Sequence, residues 1–387
     1  MKNHLTKWLR AMLFCLAVML ASNVQACAIC APSDGQTTLL QRLYAADAVV
    51  MAEGQVGQNS STWMPLALIK GPLPAGVALR NPMPLSPPDA AALAQSLSPG
   101  SDAAKAAVHV LLYTASNASW RSAGPLGLER EAWLRSMAAL PRAMQAGVLD
   151  PKIQWPARLA ALAPDLENSQ SLVAQTSYEE ISQAPFPAMR SLKPVLKVKQ
   201  LSHWLDQPGL EARRPLYGLL FGVAGTAADA QILEPRMLRS LRAKAVTPTD
   251  LAAFSAYVAA YLELRGDAGL AWVEQHVLQD MQVRDEWVQA ALQALRIHAE
   301  DGLRVSKARV VQAYALYIQS NPARAGFVAS DLSKWERWEF TETFVDILKS
   351  RSAQVFSSRY AMVFYLMRSP TPQAEAGLDA LRAQGIL

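Results

Sequence analysis

Cysteine is nearly absent from this chain. Of three cysteines in 387 residues, Cys15 lies in an apolar run near the start, and only Cys27 and Cys30 stand outside that run. Two cysteines cannot build the disulfide framework of a small secreted scaffold, nor a four-cysteine zinc site. Histidine is as scarce. His109, His203, His276 and His298 are the only ones beyond residue 26, and none stands at metal-ligand spacing from another His or a Cys. The chain lacks His-Glu-x-x-His, Gly-x-Ser-x-Gly, Ser-x-x-Lys and any Gly-rich phosphate loop with a Lys. These absences exclude the motif-bearing metalloproteases, serine hydrolases and nucleotide-binding enzymes. We therefore expect no enzyme, no catalytic residues, no metal and no cofactor. Long apolar runs are missing too. The longest, Ala11 to Ala21, is eleven residues, about half of what a membrane-spanning helix requires, so no transmembrane helix is expected.

What is present begins with an export segment. Lys2, Lys7 and Arg10 give a positive start, Ala11 to Ala21 an apolar core, and Ser22 to Ala26 a small-residue exit. These are the three parts of a signal peptide, residues 1–26, cleaved after Ala26. Cys27 is then the first mature residue, and a periplasmic or secreted address follows. Lipoprotein processing would also make Cys27 the first residue and would anchor the chain through it. Loss of Lys2, Lys7 and Arg10 lowers the formal net charge from +5 to +2. The basic balance is thus largely the signal's own, and nucleic acid is not an expected partner.

Cys27 and Cys30 are close enough to pair in an oxidising compartment, although so small a ring adds little loop entropy. Lipidation of Cys27 would instead leave Cys30 as a free thiol. A thioredoxin-like role needs a preceding strand, and none is in view. A c-type haem would need His where Ala31 stands.

The chain then divides by character. After a short helix over 37–44, strands are expected at Ala48–Val56, Trp63–Lys70, Val77–Leu79 and Val108–Thr114, with Asn117–Ser122 continuing or pairing with the last. Residues 82–100 read as a loop or inserted helix. The run AADAVVMAEGQV, the following LALIKGPLPAGVAL and a cysteine-led start resemble the opening of netrin-like domains, the OB-fold class of the tissue inhibitors of metalloproteinases. Lys70-Gly71 is similar to a Lys-Gly found after the second strand there. The resemblance implies an OB-like barrel over 27–125. It also implies inhibition through the mature Cys27 amine and carbonyl. The cysteines depart from that family: they are spaced Cys-x-x-Cys rather than Cys-x-Cys, with no distant partner.

From residue 126 the period is helical. Helices are expected at 129–144, 155–162, 167–183, 187–192, 198–205 and 215–224. One over 227–242 is broken or restarted at Pro235, and one at 249–264 is started by Thr247-Pro248. Further helices follow at 268–281, 285–300, 306–320, 323–335, 340–350, 353–368 and 371–384. Helices of this length with short joints resemble a HEAT-like array over 126–387; an irregular helical domain is the alternative. The stretches Ser177–Leu192, Leu201–Gly225 and Ala260–Leu278 resemble uncharacterised exported bacterial proteins in which a cysteine-led OB-like region precedes helices. The expected class is α+β and multidomain.

Several side-chain groups invite chemistry. Glu179 and Glu180 are adjacent and so do not face each other on a helix; a solvated face or an inter-helix salt bridge suits them better than acid–base work. Asp206, Arg213 and Arg214 are expected to pair structurally across a turn. The basic groups Lys193, Lys197, Lys199 and Arg236, Arg239, Arg242 read as solvated faces. Trp335 and Trp338, three apart, share a face if helical. They form either a ridge for a peptide or glycan, or packing between helices. The functional expectation is an exported, non-enzymatic scaffold that binds a protein or peptide partner in the cell envelope, touching the membrane only if Cys27 is lipidated. A protease inhibitor-like binder acting through Cys27 is the alternative.

Overall fold

The computed structural model describes residues 29, 37–56, 61–84, 108–145, 148–150, 152–301, 303–350 and 355–387. It is α+β, with a small five-stranded antiparallel sheet, a two-stranded ribbon and a mostly helical remainder. The chain divides into two compact units, Met1–Ala188 and Met189–Leu387. The sequence placed a boundary at 125/126, where strands give way to helices. The first unit instead retains the helices up to residue 188, because they pack with the sheet and its leading helix.

In the first unit, helix α1 (Leu39–Ala45) starts in a capping box. The Thr38 hydroxyl accepts from the Gln41 N–H, and the Gln41 side chain accepts from the Thr38 N–H. Strands β1 (Ala48–Val56), β2 (Ser61–Lys70), β3 (Met83–Pro84), β4 (Val108–Thr114) and β5 (Ser119–Pro125) form a sheet in the order β3-β2-β1-β4-β5. Val77–Leu79, expected as the third strand, is not one; that place is taken by Met83–Pro84 beside Thr62 and Trp63. Central strand β1 is buried on both faces from Ala48 to Ala52, as its unbroken apolar run requires. Val50, Ala52, Trp63, Met83 and Leu111 make one core cluster, with Trp120 packed against it.

Lys70-Gly71 has a local purpose. The Lys70 ammonium donates to the carbonyls of Leu43, Tyr44 and Ala46 at 2.7, 3.0 and 2.8 Å, where the end of α1 concentrates negative partial charge. Gly71 has φ +71°, and a Cβ there would fall 1.9 Å from the Asp47 carbonyl oxygen. Only glycine fits.

Helix α2 (Glu131–Ala139) packs on β2. It stops short of the expected 144 because Pro141 disfavours helical backbone before it, and a two-stranded ribbon follows, β6 (Met144–Gln145) with β7 (Val148–Leu149). Helices α3 (Trp155–Leu162) and α4 (Ser171–Ser182) complete this unit.

The second unit is helical throughout its described residues. It contains α5 (Val198–Asp206), α6 (Arg214–Ala224), α7 (Glu234–Leu241), α8 (Pro248–Arg265), α9 (Asp267–Val273), α10 (Asp285–Asp301) and α11 (Lys307–Ser320). Then come α12 (Ala329–Lys334), α13 (Thr341–Lys349), α14 (Phe356–Arg368) and α15 (Pro372–Ala383). Helix α7 restarts at Pro235, in its first turn, as expected. Helix α8 starts where Thr247-Pro248 signalled, in a capping box with Asp250. It is buried on all sides from Ala253 to Glu263 and packs against α6 and α10. Helix α9 continues into a π-helical turn, Glu274–Leu278.

Charge is buried at the end of α8. Arg190 donates to Glu263 at 2.9 and 2.7 Å and to Asp301 at 2.8 and 2.6 Å. Burial pushes the Glu263 carboxyl up, but the Arg190 guanidinium outweighs burial and holds it below the usual carboxylate range. His298, fully buried beside this group, donates through Nε2 to the Ala259 carbonyl at 2.8 Å. Burial holds the His298 imidazole below its ordinary pKa despite Glu263 and Asp301 nearby. The unfolded chain therefore takes up a proton near pH 6.5 that the folded one refuses. The stability from the neutral ring is present above about pH 6.5 and falls below it, by up to about 1.4 kcal/mol per pH unit. Urea unfolding from about pH 7.5 to pH 5.5 tests this. We expect the His298→Gln protein to show a shallower decline than the wild type; parallel declines would refute it.

Candidate functional site

The residues singled out in the sequence are dispersed. Cys27 and Cys30 lie outside the described residues; of their segment only Ile29 is placed, and it is buried. Trp335 and Trp338 are both half-buried, and they do not share one helix face. Helix α12 ends at Lys334, Glu336 turns the chain with φ +56°, and Trp338 opens a 3-10 turn, Trp338–Phe340. Trp335 stacks on Tyr314 at 5.6 Å with Lys307 over its ring, and Trp338 packs against Tyr365 at 5.2 Å.

The adjacent carboxylates separate by role. Glu180 is buried, and its Oε2 accepts from Arg158 at 2.5 Å while Oε1 accepts from Thr38 at 3.1 Å. It is thus an inter-helix pair between α3 and α4 rather than part of a solvated face. Its neighbour Glu179 accepts from the Leu39 N–H at the start of α1. Asp206 is held by Arg236, and Arg214 by Glu211 at 3.3 Å.

The histidines are packed in or spread apart. His109 is buried against Trp63 with Nδ1 3.0 Å from the Ser122 hydroxyl, and burial holds its pKa down. His276 stacks on Trp272 at 4.3 Å and donates from Nδ1 to its carbonyl. His203 is exposed on α5. Among the described residues, no group of three His, Cys, Asp or Glu is placed to hold a metal ion.

A different surface stands out. On α14, Phe356, Tyr360, Phe364 and Met367 are 74%, 50%, 59% and 61% exposed. At 3.6 residues per turn these four positions fall within an arc of about 80°. Ser358, Met362, Tyr365 and Leu366, on the opposite side, are buried. Phe356 and Tyr360 touch at 4.5 Å. Packing of the inner face locates the outer one: Tyr365 meets Phe344 edge to face at 4.8 Å and donates to the Arg337 carbonyl at 2.6 Å. The stripe is bordered by Arg359 and Arg368, and α14 carries no acidic residue. It is an apolar ridge with a positive rim, too large and continuous for scattered surface apolar residues. Its periodicity was visible in the sequence, but both faces of α14 are apolar, and nothing local says which one is covered.

No family model, curated protein or solved structure matches this chain. No helix among the described residues is long and apolar enough to cross a membrane.

Proposed function

We propose that the chain is an exported, non-enzymatic binding protein whose helical part docks another polypeptide in the cell envelope. The exposed stripe of α14 carries the reading. Four large apolar side chains on one helix face, rimmed by arginines, suit an amphipathic helix with an apolar face and acidic flanks. Two architectural expectations join it. The order β3-β2-β1-β4-β5 supports an OB-like barrel, because closing β3 on β5 would make that order a five-stranded barrel. Successive packing of α6 on α8, α8 on α10 and α10 on α11 supports a HEAT-like array.

The test is photo-crosslinking in cells from a benzoylphenylalanine at position 364, with position 281 as control, since Met281 is also exposed (64%) but lies off α14. We expect a discrete adduct with an acidic, helical polypeptide from 364 and none from 281. Adducts to lipid alone, to a second copy alone, or to nothing would overturn the reading. Phe356→Ser with Phe364→Ser should abolish the adduct from position 360. It should leave stability within about 0.5 kcal/mol, because the side chains removed are already in water.

A further inference from the structure

A cleft of about 340 Å³ opens in the second unit at the end of α5, the start of α6, the outer side of α7 and the first turns of α8. Three guanidiniums line it. Arg236 and Arg239 are three apart on α7 and so share a face; Arg214 comes from the first turn of α6. Two carboxylates also line it. Asp250 is engaged by its own helix cap, accepting from the Thr247 N–H and hydroxyl at 3.0 and 2.7 Å. Asp206 holds Arg236 from a side chain that is 62% exposed. Arg214 is held by the Leu205 carbonyl at 3.0 Å and by the exposed Glu211. Arg239 has no carboxylate partner among the described residues. Positive charge is thus in excess, and one fork is uncommitted.

The buried wall of the cleft adds a second, independent observation. Tyr257 is 6% exposed, and its hydroxyl has no hydrogen bond among the described residues. Arg214, Arg236 and Arg239 are among the charges acting on it. Trp287, 1% exposed, has an indole N–H with no acceptor, and so does the Nε–H of Arg236. The three guanidiniums and the Tyr257 side chain that line the cleft are donors or can donate. A cleft lined by donors calls for an acceptor-rich, anionic guest.

We propose that this cleft binds a phosphoryl group carried on a small organic body. Guanidiniums arriving from two helices suit the several oxygens of a phosphate better than the single plane of a carboxylate. Leu205, Ala253 and Trp287 supply an apolar wall for the body. The volume falls in the range of small-molecule sites. This site lies on α5 to α8 and α10 and does not depend on the stripe of α14.

Isothermal titration of the mature full-length protein tests it, with phenyl phosphate, inorganic phosphate and phenylacetate as probes. Phenyl phosphate should bind saturably. Arg239→Gln, an exposed change outside the core, should weaken it about tenfold or more. Arg242→Gln, one residue past α7 and not lining the cleft, should change it less than about twofold. Tyr257→Phe, which keeps the ring and the fold, should weaken it severalfold. Absence of saturation by either phosphoryl probe, with circular dichroism showing folded protein, would overturn the proposal. So would equal losses in the two arginine variants, or phenylacetate binding as tightly as phenyl phosphate. Inorganic phosphate binding as tightly as the ester would overturn the organic-body part of the assignment.

Discussion

Arg158→Met is expected to destabilise the first unit by about 3–5 kcal/mol. Arg158 and Glu180 are 5% and 2% exposed, so the substitution strands a carboxylate in the interior. The remaining bond, from Thr38 at 3.1 Å, is neutral and cannot replace the charged contact from Arg158. The change also releases the Pro141 carbonyl, which accepts from Arg158 at 2.8 Å. The loss therefore reaches the turn after α2 as well as the α3–α4 contact. Replacing both partners, Arg158→Met with Glu180→Leu, removes the stranded charge and should recover most of the loss. Urea unfolding of the wild type, both single variants and the double variant measures this cycle. Single variants that lose less than about 1 kcal/mol would show that water reaches the pair.

The second large effect is expected at Gly326. This residue lies in the 3-10 turn Pro322–Val328, which packs against α14. A Cβ at position 326 would sit 2.0 Å from the carbonyl oxygen of Ser358 and 2.5 Å from its carbonyl carbon. The obstacle is backbone, so no rotamer change relieves it. Gly326 also donates from its N–H to the Ser358 hydroxyl at 2.9 Å, a bond that is lost when the two segments separate. Gly326→Ala should cost about 3 kcal/mol or more, seen as a lowered midpoint of thermal unfolding. It should also weaken partner capture through α14, because the helix must shift to admit the methyl group. A variant with wild-type stability would mean that α14 does not pack this closely.

Much of the frame is legible in local sequence. Strands β1 and β4 are short β-branched and aliphatic runs between breakers, and their expected bounds agree with Ala48–Val56 and Val108–Thr114. The start of α8 was legible because a cap residue and a proline act over one turn. Strand β3 was not, since Met83-Pro84 has no alternation and is a strand only because Trp63 lies beside it. The end of α2 is also signalled locally, since Leu140 before Pro141 is extended. The role of Glu180 could not be read, because its partner lies 22 residues earlier and depends on how α3 meets α4. Arg236 and Arg239 read as a solvated face for the same reason: their own segment gives no sign that Arg214 and Tyr257 converge on them. The break at 125/126 marked a change in local period, whereas the compact units follow tertiary contacts such as Thr38 with Glu180.

The seat of Lys70 also makes it a clock. An amine reacts with acylating reagents through its lone pair, and an ammonium whose three N–H bonds all point at carbonyls has none to offer. Burial pushes the Lys70 pKa down, which alone would speed acylation, yet the side chain must first leave Leu43, Tyr44 and Ala46. Its modification rate in a mass-spectrometric labelling experiment then counts openings between the end of α1 and the end of β2. Lys199, exposed on α5 with no carboxylate partner among the described residues, sets the unprotected rate on the same chain.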